Sequence, residues 1–146
     1  MSKIIKEGSY KVASREYLKK LSFAKKFLSG VSVGFVMERK GQIQLTDRAI
    51  ILSGYAVIDL SKIVSLEVNF DQYYKRYYAL GIGAGASGSP SRIGGIRGGE
   101  PLIVTYLEND ITKTIYILID WEPITGLTKD HEWLESINGL LAKRNR

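Results

Sequence analysis

Gly83, Gly85 and Gly88 stand in a G-x-G-x-x-G spacing, within a stretch from residue 80 to residue 101 that holds eight of the fifteen glycines. That spacing can bring backbone amides close to a pyrophosphate, provided a strand precedes it and a helix follows. Here "SPSRIGGIRGGEP" follows Gly88, with two prolines and four more glycines. A helix cannot start there at a reasonable cost. No Gly-Lys-Ser or Gly-Lys-Thr completes a P-loop, and the catalytic loop of a kinase is missing. The glycines therefore predict a long loop rather than a nucleotide site. Arg92 and Arg97 give that loop a positive charge, opposed only by Glu100, and glycine-rich turns can form anion-binding concavities.

Acid–base and metal chemistry find little material. The single histidine, His131, stands between Asp130 and Glu132, where a helix is predicted to begin; it reads as a solvated helix-start residue rather than a base. With one histidine and no cysteine, a transition-metal site and thiolate chemistry are not expected. Asp120 and Glu122 flank Trp121, but Pro123 ends the strand at once, so the pair reads as a surface turn. Neither catalytic residues nor a cofactor are predicted.

Recognition chemistry is better represented. In "DQYYKRYYAL", Tyr73, Tyr74, Tyr77 and Tyr78 surround Lys75 and Arg76. On a strand, each face would carry two tyrosines and one cation, a combination suited to stacking, cation–π contact or partner binding. The alternative is that these rings pack over the core. Taken with Arg92 and Arg97, the strip predicts a binding edge at Tyr73, Tyr74, Lys75, Arg76 and Tyr77.

The charge is unevenly distributed. Residues 1–30 hold eight basic and two acidic side chains, whereas the remainder holds thirteen of each. The whole net charge of +6 thus belongs to the first fifth of the chain. This predicts a basic segment, residues 1–30, attached to a neutral domain, residues 31–146. Within the segment, "SREYLKKLSFAKKFL" supports a helix over 14–28 with Ser14 as N-cap and Tyr17, Leu18, Leu21, Ala24 and Leu28 on one side. Lys19, Lys20, Lys25 and Lys26 on this helix are candidates for docking to a partner or an anionic membrane surface.

The elements that must position these groups are mostly strands. The 146 residues are enough for one domain with a real core. After Gly30, "VSVGFVMERKGQIQLTDRAIILSG" reads as three short strands, with polar turns at Arg39–Gly41 and Asp47–Arg48. "AVIDL" is a further strand. "KIVSLEVNF" alternates strictly, with Val64, Leu66, Val68 and Phe70 expected on the core side. "PLIVTYL" and "TKTIYILID" flank the turn "ENDI" and predict a hairpin. A helix over 129–144 closes the chain, capped by Thr128 or Asp130, with Trp133, Leu134, Ile137, Leu140 and Leu141 in one stripe. The N-terminus carries charges every few residues, unlike a signal peptide, and no apolar run approaches the roughly 18 residues of a membrane span. A cytoplasmic protein, possible at a membrane periphery, is the expectation.

Antiparallel strands followed by one closing helix resemble the pleckstrin-homology superfold, and the residues are similar to prokaryotic PH-like and GRAM-like domains. The likeness is carried by "GQIQLTDRAIILSG", by "IDLSKIVSLEV", by the late hairpin and by Trp133, and it spans roughly residues 31 to 143. It implies a barrel-like sandwich of about seven antiparallel strands capped by the C-terminal helix, and a role in docking rather than catalysis. The basic cluster typical of phosphoinositide-binding members is replaced by "FVMERKGQIQL", so that ligand does not carry over. The expected function is a non-enzymatic adaptor that binds another protein. Binding to anionic lipid and to nucleic acid are the alternatives, and self-association through a strand edge is also open.

Overall fold

The computed structural model describes residues 3–24, 38–69, 100–122 and 127–144. Its described strands are β1 (Ile4–Ser14), β2 (Arg39–Thr46), β3 (Ala49–Leu52), β4 (Ala56–Asp59), β5 (Ile63–Val68), β6 (Leu102–Glu108) and β7 (Ile111–Ile119). Helix α1 (Arg15–Ala24) follows β1, and α2 (Asp130–Arg144) comes last. The strands form one seven-stranded sheet in the order β4-β3-β2-β1-β7-β6-β5, with every pairing antiparallel.

β1 is the principal departure from the sequence reading. Residues 4–14 were expected in a helical or irregular basic segment, yet they form the central strand, paired with β2 on one side and β7 on the other. Period-two alternation explains this. Tyr10 and Val12 point into the main core while Lys11 points away. Lys11, which helped mark the segment as a basic arm, is one of its outward positions, while Lys6 reaches Glu132 on the closing helix at 3.2 Å.

The helix prediction is partly correct. α1 begins after Ser14, whose Oγ accepts the Tyr17 amide at 3.1 Å, as an N-cap does. The helix lies against the outer face of β1 and β7. There Ala13, Leu18, Tyr116 and Leu118 are buried outside the main core cluster. Arg15 adds Nε and Nη2 hydrogen bonds to the Tyr116 hydroxyl at 3.1 and 3.0 Å. The sheet is thus covered on both faces, with α1 outside and α2 inside.

Other elements fall close to expectation. The β6–β7 turn consists of Asn109 and Asp110, with φ of 52° and 63°; two left-handed residues are what a tight two-residue hairpin needs. The turn at Asp47–Arg48 is present, whereas Arg39–Gly41 belongs to β2 and pairs with β1. Val64 is 59% exposed rather than facing the core. An irregularity between Ile63 and Ser65 shifts the register, so Ile63, Leu66 and Val68 pack inward. Phe70 lies outside the described residues. A single 3-10 turn, Leu60–Lys62, links β4 to β5 and buries Leu60. β4 and β5 are the two edges of the sheet and do not pair with each other, so the expected closed barrel is not formed among the described residues.

α2 packs on β5, β6 and β7. Trp133 and Ile137 are fully buried, and Leu134, Leu140 and Leu141 pack partly buried against the core. The stripe read from the sequence is the face that docks.

Candidate functional site

The structure places few of the expected binding residues. Tyr73, Tyr74, Lys75, Arg76, Tyr77, Tyr78, Arg92 and Arg97 fall in residues 70–99, outside the described residues, as do Lys25 and Lys26. Lys19 and Lys20 are exposed on α1. Among the described residues, no group of histidine, aspartate or glutamate has the arrangement of a metal site.

A groove on the sheet has the chemistry of a recognition surface. It encloses about 370 Å³ and is lined by Ser9, Tyr10, Lys11, Lys40, Gly41 and Trp121. β1 supplies three of these, β2 supplies two, and Trp121 comes from the turn that follows β7. The register sets Lys11 directly opposite Lys40. Like charges at opposed positions of an antiparallel pair destabilise it. Lys11 Nζ lies 4.4 Å from the centroid of the Trp121 ring, a cation–π distance. Burial, and next the neighbouring Lys40 charge, pull the Lys11 ammonium below its ordinary pKa. Lys11 is thus held against an indole, with the exposed Lys40 at the opposed position of β2.

The backbone at Asp120 brings Trp121 into place. Asp120 has φ of 52°, a left-handed conformation unusual for a residue with a side chain. Its Oδ1 accepts the Ser9 amide at 2.9 Å and the Ser9 hydroxyl at 3.1 Å, while its own amide donates to the Ser9 carbonyl at 2.9 Å. Lys129 Nζ stands 3.8 Å from Oδ2. Gly8 is the reason this fits: a Cβ there would lie 3.1 Å from both Asp120 carboxylate oxygens. The clamp turns the chain out of β7 and directs the next residue over Lys11. Asp120 and Glu122 are therefore turn residues, as expected, but the turn shapes a groove.

Gly41 has a matching role on the other wall. A Cβ there would come within 3.1 Å of the Tyr10 ring and 3.2 Å of the Ser53 carbonyl. The absence of a side chain lets the Tyr10 hydroxyl cross to donate to the Ser53 carbonyl at 2.6 Å. Burial raises the Tyr10 pKa, so this phenol stays a neutral donor.

The start of α2 holds a second polar cluster. His131 Nε2 is 2.9 Å from Glu100 Oε2, with the His131 side chain half-exposed and Glu100 buried. His131 is thus tied to the end of the glycine-rich stretch rather than simply solvated. Asp130 is 0% exposed and its Oδ1 accepts the Ile119 amide at 2.8 Å. Burial raises its pKa well above the usual carboxylate value, and the Glu100 charge adds to this; the Ile119 and Leu102 amides and the Thr128 hydroxyl work in the opposite direction. This cluster pegs the helix to the ends of β6 and β7.

Sequence reasoning passed over Lys11, Lys40 and Trp121 because the first fourteen residues were not recognised as a strand. The signal was present in the Ser9-x-Lys11 alternation against Tyr10 and Val12. No protein-family model matches the chain, and no curated protein matches it.

Proposed function

We propose that the chain is a non-enzymatic binding module of PH-like architecture that docks a protein partner. The mostly β fold with one closing helix supports this reading. The observation that carries it is the groove, where Lys11 and Lys40 are opposed across two strands beside the Trp121 ring. Two lysines at opposed positions give this part of the sheet a positive charge that an acidic surface of a partner complements. Tryptophan is among the residues enriched at the energetic centre of protein interfaces, and Trp121 lines this groove. The polar cluster at the start of α2 supports a non-catalytic reading, because Asp130 is fully buried with its Oδ1 held by the Ile119 amide, and His131 is held by Glu100. Lys19 and Lys20 on the adjoining helix keep anionic lipid as the second reading, since both are exposed.

Site-specific photo-crosslinking in the native cell tests the proposal. A photoreactive amino acid at position 40 is expected to give discrete polypeptide adducts, and the same group at Ser61, in the exposed turn between β4 and β5, to give none. Equal adducts from both positions, or lipid adducts alone from position 40, would refute protein docking at the groove.

A further inference from the structure

We infer that the start of β1, with the two turns beside it, rests on an anionic membrane surface. This contact is separate from the groove and lies at one end of the sheet. Thr46 pairs with Ile4 and Leu45 with Lys6, so Ile5 is an extra residue in β1. An extra residue of this kind turns a side chain away from the regular pleat. Ile4 and Ile5 are accordingly 49% and 45% exposed. Among the described residues, no other consecutive pair of large apolar side chains is so exposed.

Cations stand around this pair. The Lys3 amide donates to Asp47 Oδ1 at 3.1 Å, and the Asp47 amide to the Lys3 carbonyl at 3.2 Å, which sets Lys3 and Ile4 beside the Asp47–Arg48 turn. The Leu60 amide donates to the Arg48 carbonyl at 2.8 Å, and Lys62 ends the same 3-10 turn as Leu60. Lys3, Arg48 and Lys62 are exposed, and none forms an ion pair among the described residues. The acids here are fewer. Asp47 holds the Lys3 amide, and Asp59 holds the Ser61 amide and hydroxyl. Lys6, the next cation along β1, is paired with Glu132.

This chemistry fits a bilayer better than a protein. Exposed aliphatic side chains beside lysine and arginine enter the boundary between headgroups and acyl chains, while the cations meet anionic headgroups. None of the exposed side chains named here is a tryptophan or tyrosine, the rings enriched at the energetic centres of protein interfaces. Two isoleucines and three cations give shallow, reversible anchoring. Ser9, the first groove residue, stands five residues beyond Ile4, about 16 Å along the strand, past the roughly 5–10 Å depth of such a contact. The groove thus stays open to its partner.

The sequence has no cysteine, so a single introduced thiol carries a unique label. An environment-sensitive fluorophore is attached to Ile5→Cys and, in a second chain, to Ile111→Cys, which is 61% exposed at the other end of the sheet. With mixed phosphatidylcholine–phosphatidylserine vesicles, the label at position 5 is expected to shift saturably to the blue and the label at position 111 to stay unmoved. In co-sedimentation, Ile4→Ser with Ile5→Ser, Lys3→Gln with Arg48→Gln, and salt of about 0.5 M should each weaken binding about tenfold, with the Tm of both variants unchanged. No shift with vesicles, equal shifts at both positions, or equal binding to phosphatidylcholine alone would overturn the inference. So would binding that is lost on Lys19→Gln with Lys20→Gln and kept on the isoleucine substitutions, which would move the contact to α1. A shift at position 5 that grows with protein concentration and needs no vesicles would give the patch to a second copy and overturn it too. Crosslinking from position 40 should be the same in all these variants, so failure here leaves the docking reading standing.

Discussion

Replacing Asp130 is the sharpest test of how α2 is attached to the sheet. The carboxylate is fully buried and accepts the Ile119 amide at 2.8 Å, and the Leu102 amide also favours its charged form. Asp130→Ala leaves the Ile119 amide buried without that acceptor, at about 1–3 kcal/mol. The expected loss is therefore about 1–3 kcal/mol, a substantial fraction of the stability of a domain of this size. Asp130→Asn is milder, since its carbonyl can still accept from the Ile119 amide.

The asparagine variant also exposes the titration. Burial is the largest cause of the raised Asp130 pKa, so the folded chain prefers the neutral acid. A carboxyl whose folded pKa lies above its unfolded value contributes stability fully present below the unfolded value, 3.8 for this group, and lost as pH rises through the folded one. The wild-type chain should accordingly lose stability relative to Asp130→Asn as pH rises from about 4, with a slope of at most about 1.4 kcal/mol per pH unit. Urea unfolding of both chains from pH 4 to pH 8, followed by tryptophan fluorescence, measures the difference, and groups that titrate alike in both chains cancel. A difference that is flat with pH, or that moves in favour of the wild type as pH rises, would refute the claim that burial dominates this carboxylate.

Gly139 lies on the exposed side of α2 with nothing within 4 Å of an added Cβ, so Gly139→Ala should stabilise the chain by up to about 1 kcal/mol and raise Tm by a few degrees; calorimetry checks this. Gly8→Ala would press a methyl against both Asp120 oxygens and should destabilise by about 1–3 kcal/mol, while displacing the Trp121 indole resonance. Leu18→Ala removes the buried contact of α1 with the outer face and should cost about 2–3 kcal/mol, with hydrogen-exchange protection lost first in residues 15–20. Unchanged protection of α1 in that variant would show that Leu18 does not hold the helix.

The most legible elements were those in which local chemistry and tertiary role agree. The β6–β7 hairpin announced itself by Asn109-Asp110 between apolar runs, and α2 by the spacing of Trp133, Ile137 and Leu141. Ser14 was legible as an N-cap because a short hydroxyl in front of a helical pattern has one obvious use. β1 was harder, since a strand covered by a helix on one face and a core on the other does not alternate cleanly: Val12 and Ala13 are adjacent and both fully buried. Val64 misled for a different reason. Its strand alternates in sequence, but an irregularity in pairing inverts the first position, and no composition signal marks it. The groove could not be assembled from sequence at all, because Lys11, Lys40 and Trp121 are joined only by the strand order.

That strand order also decides what sort of recognition the groove supports. β1 is the middle strand, so its alternation serves two purposes at once: Tyr10 and Val12 go to the core, and Ser9 and Lys11 go to the groove. A one-residue slip of β1 would exchange the two sets, burying lysine and exposing tyrosine, and would be opposed by the whole core. The placement of Lys11 is therefore as secure as the core itself. The same is true of Trp121, which is held through Asp120 to the backbone of that strand. Had these groups stood on β4 or β5, a partner could have joined the open edge through backbone hydrogen bonds with little regard for its side chains. On the central strand it cannot, and discrimination falls to charge and ring chemistry.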